Sequence, residues 1–329
     1  MLPNEKLKTM KKLILLLTLI PCIAFGQKTY VPGFKFEQYL EANGMGDGIA
    51  DNDSVLTANI SGVTSLDIVN RSIIDLTGIE DFAALETLEC GYNNLGTLDA
   101  SINPGLTYLD CKNCNLTSLN VSNNSALSVL ICTNNQLTSL DVSSNTDLTI
   151  LLCDINQIPS LDVSNNVALV DLWCGGNPLN SLDVSNNAAL ERLDCNWSGL
   201  TNLDVSNNTA LTYLGCHYNN LNCLNVKNGN NTNMNINAIS NSNLFCIEVD
   251  DATWSAANWT SIDAGVSFST NCNNSCSPSS AVLEQLTNTQ KELIKIIDFM
   301  GRETEFKPNT PLIFIYSDGT RERVMEIEE

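Results

Sequence analysis

A Leu-x-Cys tripeptide returns every 21 residues through the middle of the chain. Its cysteines are Cys90, Cys111, Cys132, Cys153, Cys174, Cys195 and Cys216, and Leu88, Leu109, Leu130, Leu151, Leu172, Leu193 and Leu214 stand two residues before them. A period held in phase over seven copies means that each unit takes one shape and meets its neighbours in one way, so the chain stacks into a solenoid. Each unit has two similar halves. In the first, Leu85-x-x-Leu88-x-Cys90-x-x-Asn93 is followed by Leu95-x-x-Leu98-x-Ala100-x-x-Asn103. Later units place valine at the Ala100 position, at Val121, Val142, Val163, Val184, Val205 and Val226. Both halves alternate apolar and polar residues and then reach an asparagine. A period of two buries one face of a short strand. Each 21-residue turn is therefore expected to carry two short parallel strands, not a strand and a long helix.

One such coil exposes apolar side chains that it cannot bury alone. Stacking buries them against the next coil, at roughly 1.5–3 kcal/mol per large side chain. The asparagines close the turns, because their amide both donates to and accepts from backbone groups that a turn leaves unpaired. Asn93, Asn135, Asn156, Asn177 and Asn219 form one ladder, with Cys114 and Ser198 in its two remaining places. Asn103, Asn124, Asn145, Asn166, Asn187 and Asn208 form a second.

These motifs resemble the leucine-rich repeat, LxxLxLxxNxL, with Cys at the third leucine. The nested form ending in LDVSxN is similar to the double-strand bacterial variety called IRREKO. The resemblance runs from about Val63 to Val249. It implies a β-rich solenoid wound as a right-handed leucine-rich-repeat coil, in line with the handedness of parallel crossovers. Little helix is expected outside an N-terminal cap. Leu76-Thr77-Gly78-Ile79 and the cap before it are similar to those of internalins. Cysteine is often accepted at the asparagine position of such repeats, which implies that Cys114 is structural rather than reactive.

A solenoid exposes its core at its ends, so the terminal units must differ. Residues 27–62 are expected to form the first cap: Phe34 to Ala42 reads as a short helix with Phe36, Tyr39 and Leu40 inward, broken by Gly44-Met45-Gly46-Asp47-Gly48. Asp47, Asp51 and Asp53 lie close together there; their spacing does not match the EF-hand pattern, and they read as a solvated acidic loop. The solenoid is assigned to residues 63–249. Residues 250–276, carrying Trp254, Trp259, Ile262, Val266 and Phe268, are expected to cover the last coil.

Residues 1–26 read as a signal-peptide region. Met10-Lys11-Lys12 is a basic start, Leu13 to Phe25 is an apolar run too short to span a bilayer, and Ala24-Phe25-Gly26 is a cleavage site. No other stretch has the length and polarity of an integral span. The chain is accordingly expected to be secreted or held at the cell surface. In an exported protein thirteen cysteines suggest disulfides, but the ladder cysteines sit on parallel strands about 4.8 Å apart, where a disulfide prefers a Cβ separation of about 3.8 Å. They read as buried free thiols packing as small hydrophobes. Outside the ladder, Cys223, Cys246, Cys272 and Cys276 allow three connectivities. Cys246–Cys272 would close the C-terminal cap, and Cys223–Cys246 is its rival.

The tail divides into a linker, residues 277–292, and a small β module, residues 293–329. Leu293 to Asp298 and Pro311 to Tyr316 read as strands, and Asp318-Gly319 as a hairpin turn leading into Arg321 to Ile327. The IIDFMGRE strand-turn and the terminal hairpin are similar to the C-terminal sorting domains of the type IX (Por) secretion system in Bacteroidetes, which implies that secretion machinery as a partner.

The chemistry points to binding. The net charge of −21 argues against nucleic acid, whose phosphates need clustered Lys and Arg. His217 is the one histidine. There is no Gly-x-Ser-x-Gly, no HExxH and no phosphate-cradling glycine loop, so no catalytic constellation, cofactor or metal site is assigned. The second strand is monotonous (Ser or Thr, Leu, Asp, Val, Ser), and its Asp99, Asp141, Asp162, Asp183 and Asp204 form an outward row, read as a solvated face or a cation-stabilised one. The first strand varies. Tyr108, Val129, Ile150, Asp171, Arg192 and Tyr213 make one outward row, Glu89, Asp110, Ile131, Leu152, Trp173 and Asp194 the next, and Trp197, His217 and Tyr218 follow just beyond. Exposed Ile, Leu and Trp favour association, and Trp and Tyr dominate binding hot spots. The expected ligand face therefore comprises Tyr108, Val129, Ile131, Ile150, Leu152, Trp173, Arg192, Trp197, Tyr213, His217 and Tyr218. Its ligand is a protein or a glycan. The other reading is a structural envelope component without a specific ligand.

Overall fold

The computed structural model describes residues 26–273 and Cys276, together with the backbone of three strands, Leu293–Ile297, Leu312–Tyr316 and Arg321–Val324. The apolar run Leu13–Phe25 and the linker 277–292 lie outside the described residues, as do the turn residues of the tail. Two compact units divide after residue 274.

The first unit is a β-solenoid. Nine three-residue strands, from Ser65–Asp67 to Asn235–Asn237, make one parallel sheet in which each pairs with the strand of the next coil. The register is that of the repeat: Leu109 stands opposite Leu130, Leu151 opposite Leu172, and Leu193 opposite Leu214. The side chains pointing inward form continuous columns. Ile68, Cys90, Cys111, Cys132, Cys153, Cys174, Cys195, Cys216 and Ala238 occupy one of them, all essentially inaccessible. The cysteines of this column are free thiols. Burial pushes the thiols of Cys132 and Cys216 up to about 12, because a thiolate in an apolar column has lost its hydration.

The two asparagine ladders bind the coils in different ways. Asn177 accepts the Ile158 N–H on Oδ1 and donates from Nδ2 to the carbonyls of Cys153 and Cys174, each at 3.0 Å. Asn187 donates to Val163 O at 3.0 Å and Asn166 O at 2.9 Å. Its Oδ1 is buried and unpartnered, as are those of Asn124, Asn145, Asn166 and Asn208. Cys114 and Ser198 keep the donating half of the first ladder, with Cys114 Sγ 3.1 Å from Cys90 O and Ser198 Oγ 3.1 Å from Asn196 O.

The second face is less regular than two strands per coil. Thr97–Asp99 pairs with Ser118–Asn120, and Asn202–Asp204, Cys223–Asn225, Cys246–Glu248 and Ser267–Ser269 form a four-stranded parallel sheet. Between them, the halves around Leu140, Leu161 and Leu182 carry no strand. Where the ladder holds, an acid faces an amide or hydroxyl: Asp99 meets Asn120, Asp204 meets Asn225, and Glu248 meets Ser269. Where it lapses, Asp141, Asp162, Asp183 and Asp204 stack on one another, and adjacent like charges repel by about 1 kcal/mol or less in water. The step from Asn120 to Asp141 also lapses, and charge does not explain it. Across these steps the amides of Asn145, Asn166, Asn187 and Asn208 still tie each coil to the one before.

Both ends are covered. At the N-terminal end Lys28–Tyr30 pairs antiparallel with Ser54–Leu56, and the helix Phe34–Ala42 buries Phe36 and Leu40 against the first coils. Tyr39 stays half-buried, with its hydroxyl donating to Asp67 O at 2.7 Å. At the far end the helix Ala252–Asn258 is N-capped by Asp251, and the Trp259 indole N–H donates to Met234 O at 3.1 Å. A disulfide joins Cys246 to Cys272, with Cα atoms 5.9 Å apart. Cys223 and Cys276 are disulfide-bonded as well. The second unit contains three antiparallel strands in the order Leu293–Ile297, Leu312–Tyr316, Arg321–Val324. Among the described residues no helix is long and apolar enough to cross a membrane.

Candidate ligand-binding face

The nine-stranded sheet presents two outward residues per strand, one on each side of the central leucine. The register sets Val129, Ile150, Asp171, Arg192 and Tyr213 in one row and Ile131, Leu152, Trp173 and Asp194 in the next. Val129, Ile131, Ile150 and Leu152 are half-buried by one another, and Trp173 stands 40% exposed beside them. The result is one continuous apolar patch over three coils.

Charged pairs frame it. On one side Lys112 Nζ contacts Asp110 Oδ2 at 2.7 Å, next to half-buried Tyr108. On the other, Asp171 accepts the Trp173 indole N–H on Oδ1 at 2.9 Å and the Arg192 guanidinium on Oδ2 at 2.6 and 3.1 Å. The Tyr213 hydroxyl donates to Asp194 Oδ2 at 3.4 Å. Asp110, Asp171 and Asp194 are buried although their positions point away from the core. Long neighbours lie over them, so the sheet face is apolar in the middle and ion-paired at its edges.

Beyond the sheet lies a row that sequence reasoning noticed only in part. Two residues after each inward cysteine the backbone turns left-handed: Tyr92, Asn113, Asn134, Ile155, Gly176, Trp197 and Tyr218 have φ between 51° and 66°. The turn is imposed by the coil, since the N–H of each residue bonds to a carbonyl of the following coil, as in Ile155 N to Gly175 O at 2.8 Å. Glycine and asparagine accept this conformation, whereas a β-branched or bulky residue does so at a cost. Tyr92, Ile155, Trp197 and Tyr218 nevertheless occupy it and are 52%, 55%, 61% and 43% exposed. Trp197 stacks on Tyr218, with ring centroids 4.2 Å apart and planes 15° from parallel, and half-buried His217 meets Tyr218 edge-on. Asn113, Asn134 and Gly176 recurring at one repeat position were the sequence signal for the row. Read that way, they would have added Tyr92 and Ile155 to the expected face.

The aspartates of the second strand have a local use. Asp141, Asp162, Asp183 and Asp204 each accept the N–H of the serine two residues on, at 2.9 Å. Asn120 and Asn225 make the same turn. The serine bonds hold the Asp141 and Asp162 carboxyls below the usual range.

No family model matches the chain. Its sequence is 47% identical to internalin J of Listeria monocytogenes over 51 residues, which is 16% of this chain and 6% of that protein. Among solved structures it is similar to the functional domain of InlJ from Listeria monocytogenes, described as including a cysteine ladder, at 26% identity over 68% of each chain with a TM-score of 0.41. Similar too are internalin C2 of the same species, at 19% identity over 75% of this chain and all of that one with a TM-score of 0.48, and a leucine-rich-repeat protein of Leptospira interrogans, at 17% identity over 63% of this chain and 66% of that one with a TM-score of 0.49. With its 21-residue period and its stacked parallel coils, the chain is a leucine-rich-repeat β-solenoid.

Proposed function

We propose that this chain is an exported recognition protein, not an enzyme, and that it binds a protein or glycan ligand through the first-strand face. One observation carries the reading: Val129, Ile131, Ile150, Leu152 and Trp173 form a contiguous apolar patch on the outside of the sheet, framed by the Lys112–Asp110 and Arg192–Asp171 pairs. Outward apolar rows on a soluble solenoid mark interaction sites, and a tryptophan ringed by satisfied polar groups is the usual anatomy of a binding hot spot. The bonded Cys246–Cys272 pair suits an oxidising compartment outside the cell. The three C-terminal strands are the module that type IX secretion machinery would read.

The experiment is a pull-down and a glycan array with the exported chain, repeated with Trp173→Ser and Leu152→Ser. A saturable ligand lost in these variants, with the circular dichroism spectrum unchanged, supports recognition. Binding that survives both substitutions sinks this face as the site. A second reading, a structural envelope component stabilised by cations, rests on the aspartate row. Each of those carboxylates already serves the serine two residues on, a use that needs no cation.

A further inference from the structure

The sheet face shows how it treats a carboxylate that its neighbours cover. Asp110 is buried and takes Lys112 at 2.7 Å, and Asp171 is buried and takes Arg192 at 2.6 Å. Two more carboxylates beside the apolar patch have no cation among the described residues. Asp154 is half-buried, and the side-chain donor that it receives is the Thr133 hydroxyl at 2.7 Å. Asp194 is buried and receives the backbone and side-chain amides of Asn196 and the Tyr213 hydroxyl. Burial lifts the Asp154 carboxyl above its ordinary value against the Thr133 bond, and the charge of Asp194 adds to the lift.

Both acids border the patch. Cys153 N bonds to Trp173 O and Ile155 N to Gly175 O, each at 2.8 Å, so the parallel ladder runs on past Leu152. Asp154 is therefore the next outward residue after Leu152, and it lies diagonal to Trp173 in the following coil. Asp194 stands directly across from Trp173 on the other side. Trp173 lies between the two acids with 40% of its surface open.

We propose that this face binds a basic segment of a partner protein, with an arginine or lysine on Asp154 and adjoining aliphatic residues on Leu152 and Trp173. The proposal rests on the recognition reading and chooses a cationic protein over a glycan. A hydroxyl can bond to a covered carboxylate without offsetting its charge, whereas a guanidinium or ammonium does both. Asp110 and Asp171 each have such a cation from the chain itself, and at Asp154 the partner supplies it. Asp194, held by its own donors, adds negative potential without contact. The chain's charge of −21 draws a basic partner in and opposes a second copy of itself. Leu152 and Trp173 supply the apolar contact that keeps water from the new pair.

The test pans a phage library of random twelve-residue peptides on the whole chain. The enriched peptides are synthesised and titrated by fluorescence anisotropy. The expected result is enrichment of Arg or Lys beside Leu, Ile or Val, with saturable binding weakened at least about tenfold by Asp154→Asn. Asparagine there keeps an acceptor for the Thr133 hydroxyl. Leu152→Ser should weaken binding as well. Asp162→Asn removes the same charge from the second-strand face and should change the affinity less than about twofold. Enriched peptides without basic residues, or no saturable binder, overturn the proposal. So does an affinity untouched by Asp154→Asn or by Leu152→Ser, or an equal loss in Asp162→Asn. Self-association of the chain, or binding on a glycan array, that Trp173→Ser abolishes overturns it too, by giving the face another occupant. Neutral peptides or glycans lost in Leu152→Ser and Trp173→Ser keep the recognition reading while the cationic partner falls. Basic peptides that ignore Asp154→Asn, Leu152→Ser and Trp173→Ser alike retire both.

Discussion

Arg192 and Asp171 face each other across adjacent strands and are joined at 2.6 Å, while the other oxygen of Asp171 holds the indole of Trp173. One carboxylate thus fixes both an exposed cation and the most exposed aromatic residue of the apolar patch. Arg192→Met removes the cation and leaves the indole bond. The pair is largely open to solvent at the arginine, so the loss of stability should stay within about 1 kcal/mol. Asp171→Ala removes both bonds, and the Trp173 indole N–H signal in NMR should shift and exchange faster. An indole signal unchanged in Asp171→Ala would mean that packing alone orients the ring.

The thiol column should be chemically silent. With burial pushing Cys132 and Cys216 up to about 12, and Cys111, Cys153 and Cys195 upward as well, few thiolates exist at pH 8. Iodoacetamide should leave the ladder cysteines unmodified in the native protein and alkylate all of them in guanidinium, as read by intact mass. Modification of one ladder cysteine before global unfolding would place a local opening at that coil.

The two asparagine ladders should differ in cost. Asn177→Ala orphans the Ile158 N–H, while Cys153 O keeps the Asn156 amide and Cys174 O the Ser198 hydroxyl; Asn187→Ala leaves Val163 O and Asn166 O with their backbone donors, Asn166 N and Leu169 N, and removes an unpartnered oxygen. An unsatisfied buried donor costs about 1–3 kcal/mol, so Asn177→Ala should be the more destabilising by about 1 kcal/mol. Hydrogen exchange at the Ile158 amide should accelerate in that variant only.

The acid response of the N-terminal cap should follow Asp47. The Lys28 ammonium, 2.6 Å away, holds this carboxyl down at about 2, below its ordinary 3.8. A depressed folded-state value means that the ion pair stabilises the cap above about pH 4 and that this contribution is lost as pH falls toward 2. A carboxyl-carbon NMR titration should show the low value, and Lys28→Met should return it toward 3.8.

The stacked aspartates should be a small liability. Asp183→Asn keeps the turn to Ser185, as Asn120 and Asn225 keep theirs. It also breaks the run of like charges, so the melting temperature should rise by up to about 2 °C. Added sodium chloride should raise the wild-type melting temperature more than that of the variant. Calcium should do no more than its ionic strength accounts for.

The first strands were legible because their determinants are local and repeated. The leucine and cysteine columns follow from period-two alternation within a coil, and nine strands pair in the register that the spacing implies. The second strands were legible only in pattern. Their alternation is as clean at Leu161 as at Leu203, yet only Leu203 lies in a strand. Most of the lapse falls where aspartate follows aspartate from coil to coil, as at Asp162 and Asp183, whereas Asp204 pairs with Asn225; the step from Asn120 to Asp141 lapses without that cause. The ligand face shows the same division. Trp173 was visible as an outward aromatic residue, but the burial of Asp171 beneath Trp173 and Arg192 depends on which residues the stack brings side by side.

The 21-residue period alone determined that the chain coils, which residues line the core and why its cysteines stay thiols. These follow from inward alternation and from a constant rise between identical units. Only the tertiary structure decided that the residue two places after each cysteine must turn left-handed. That turn exists because its N–H bonds to a carbonyl of the next coil, a partner 20 or 21 residues away. The same packing set Trp197 on Tyr218, because stacking belongs to neighbouring coils and not to any one of them.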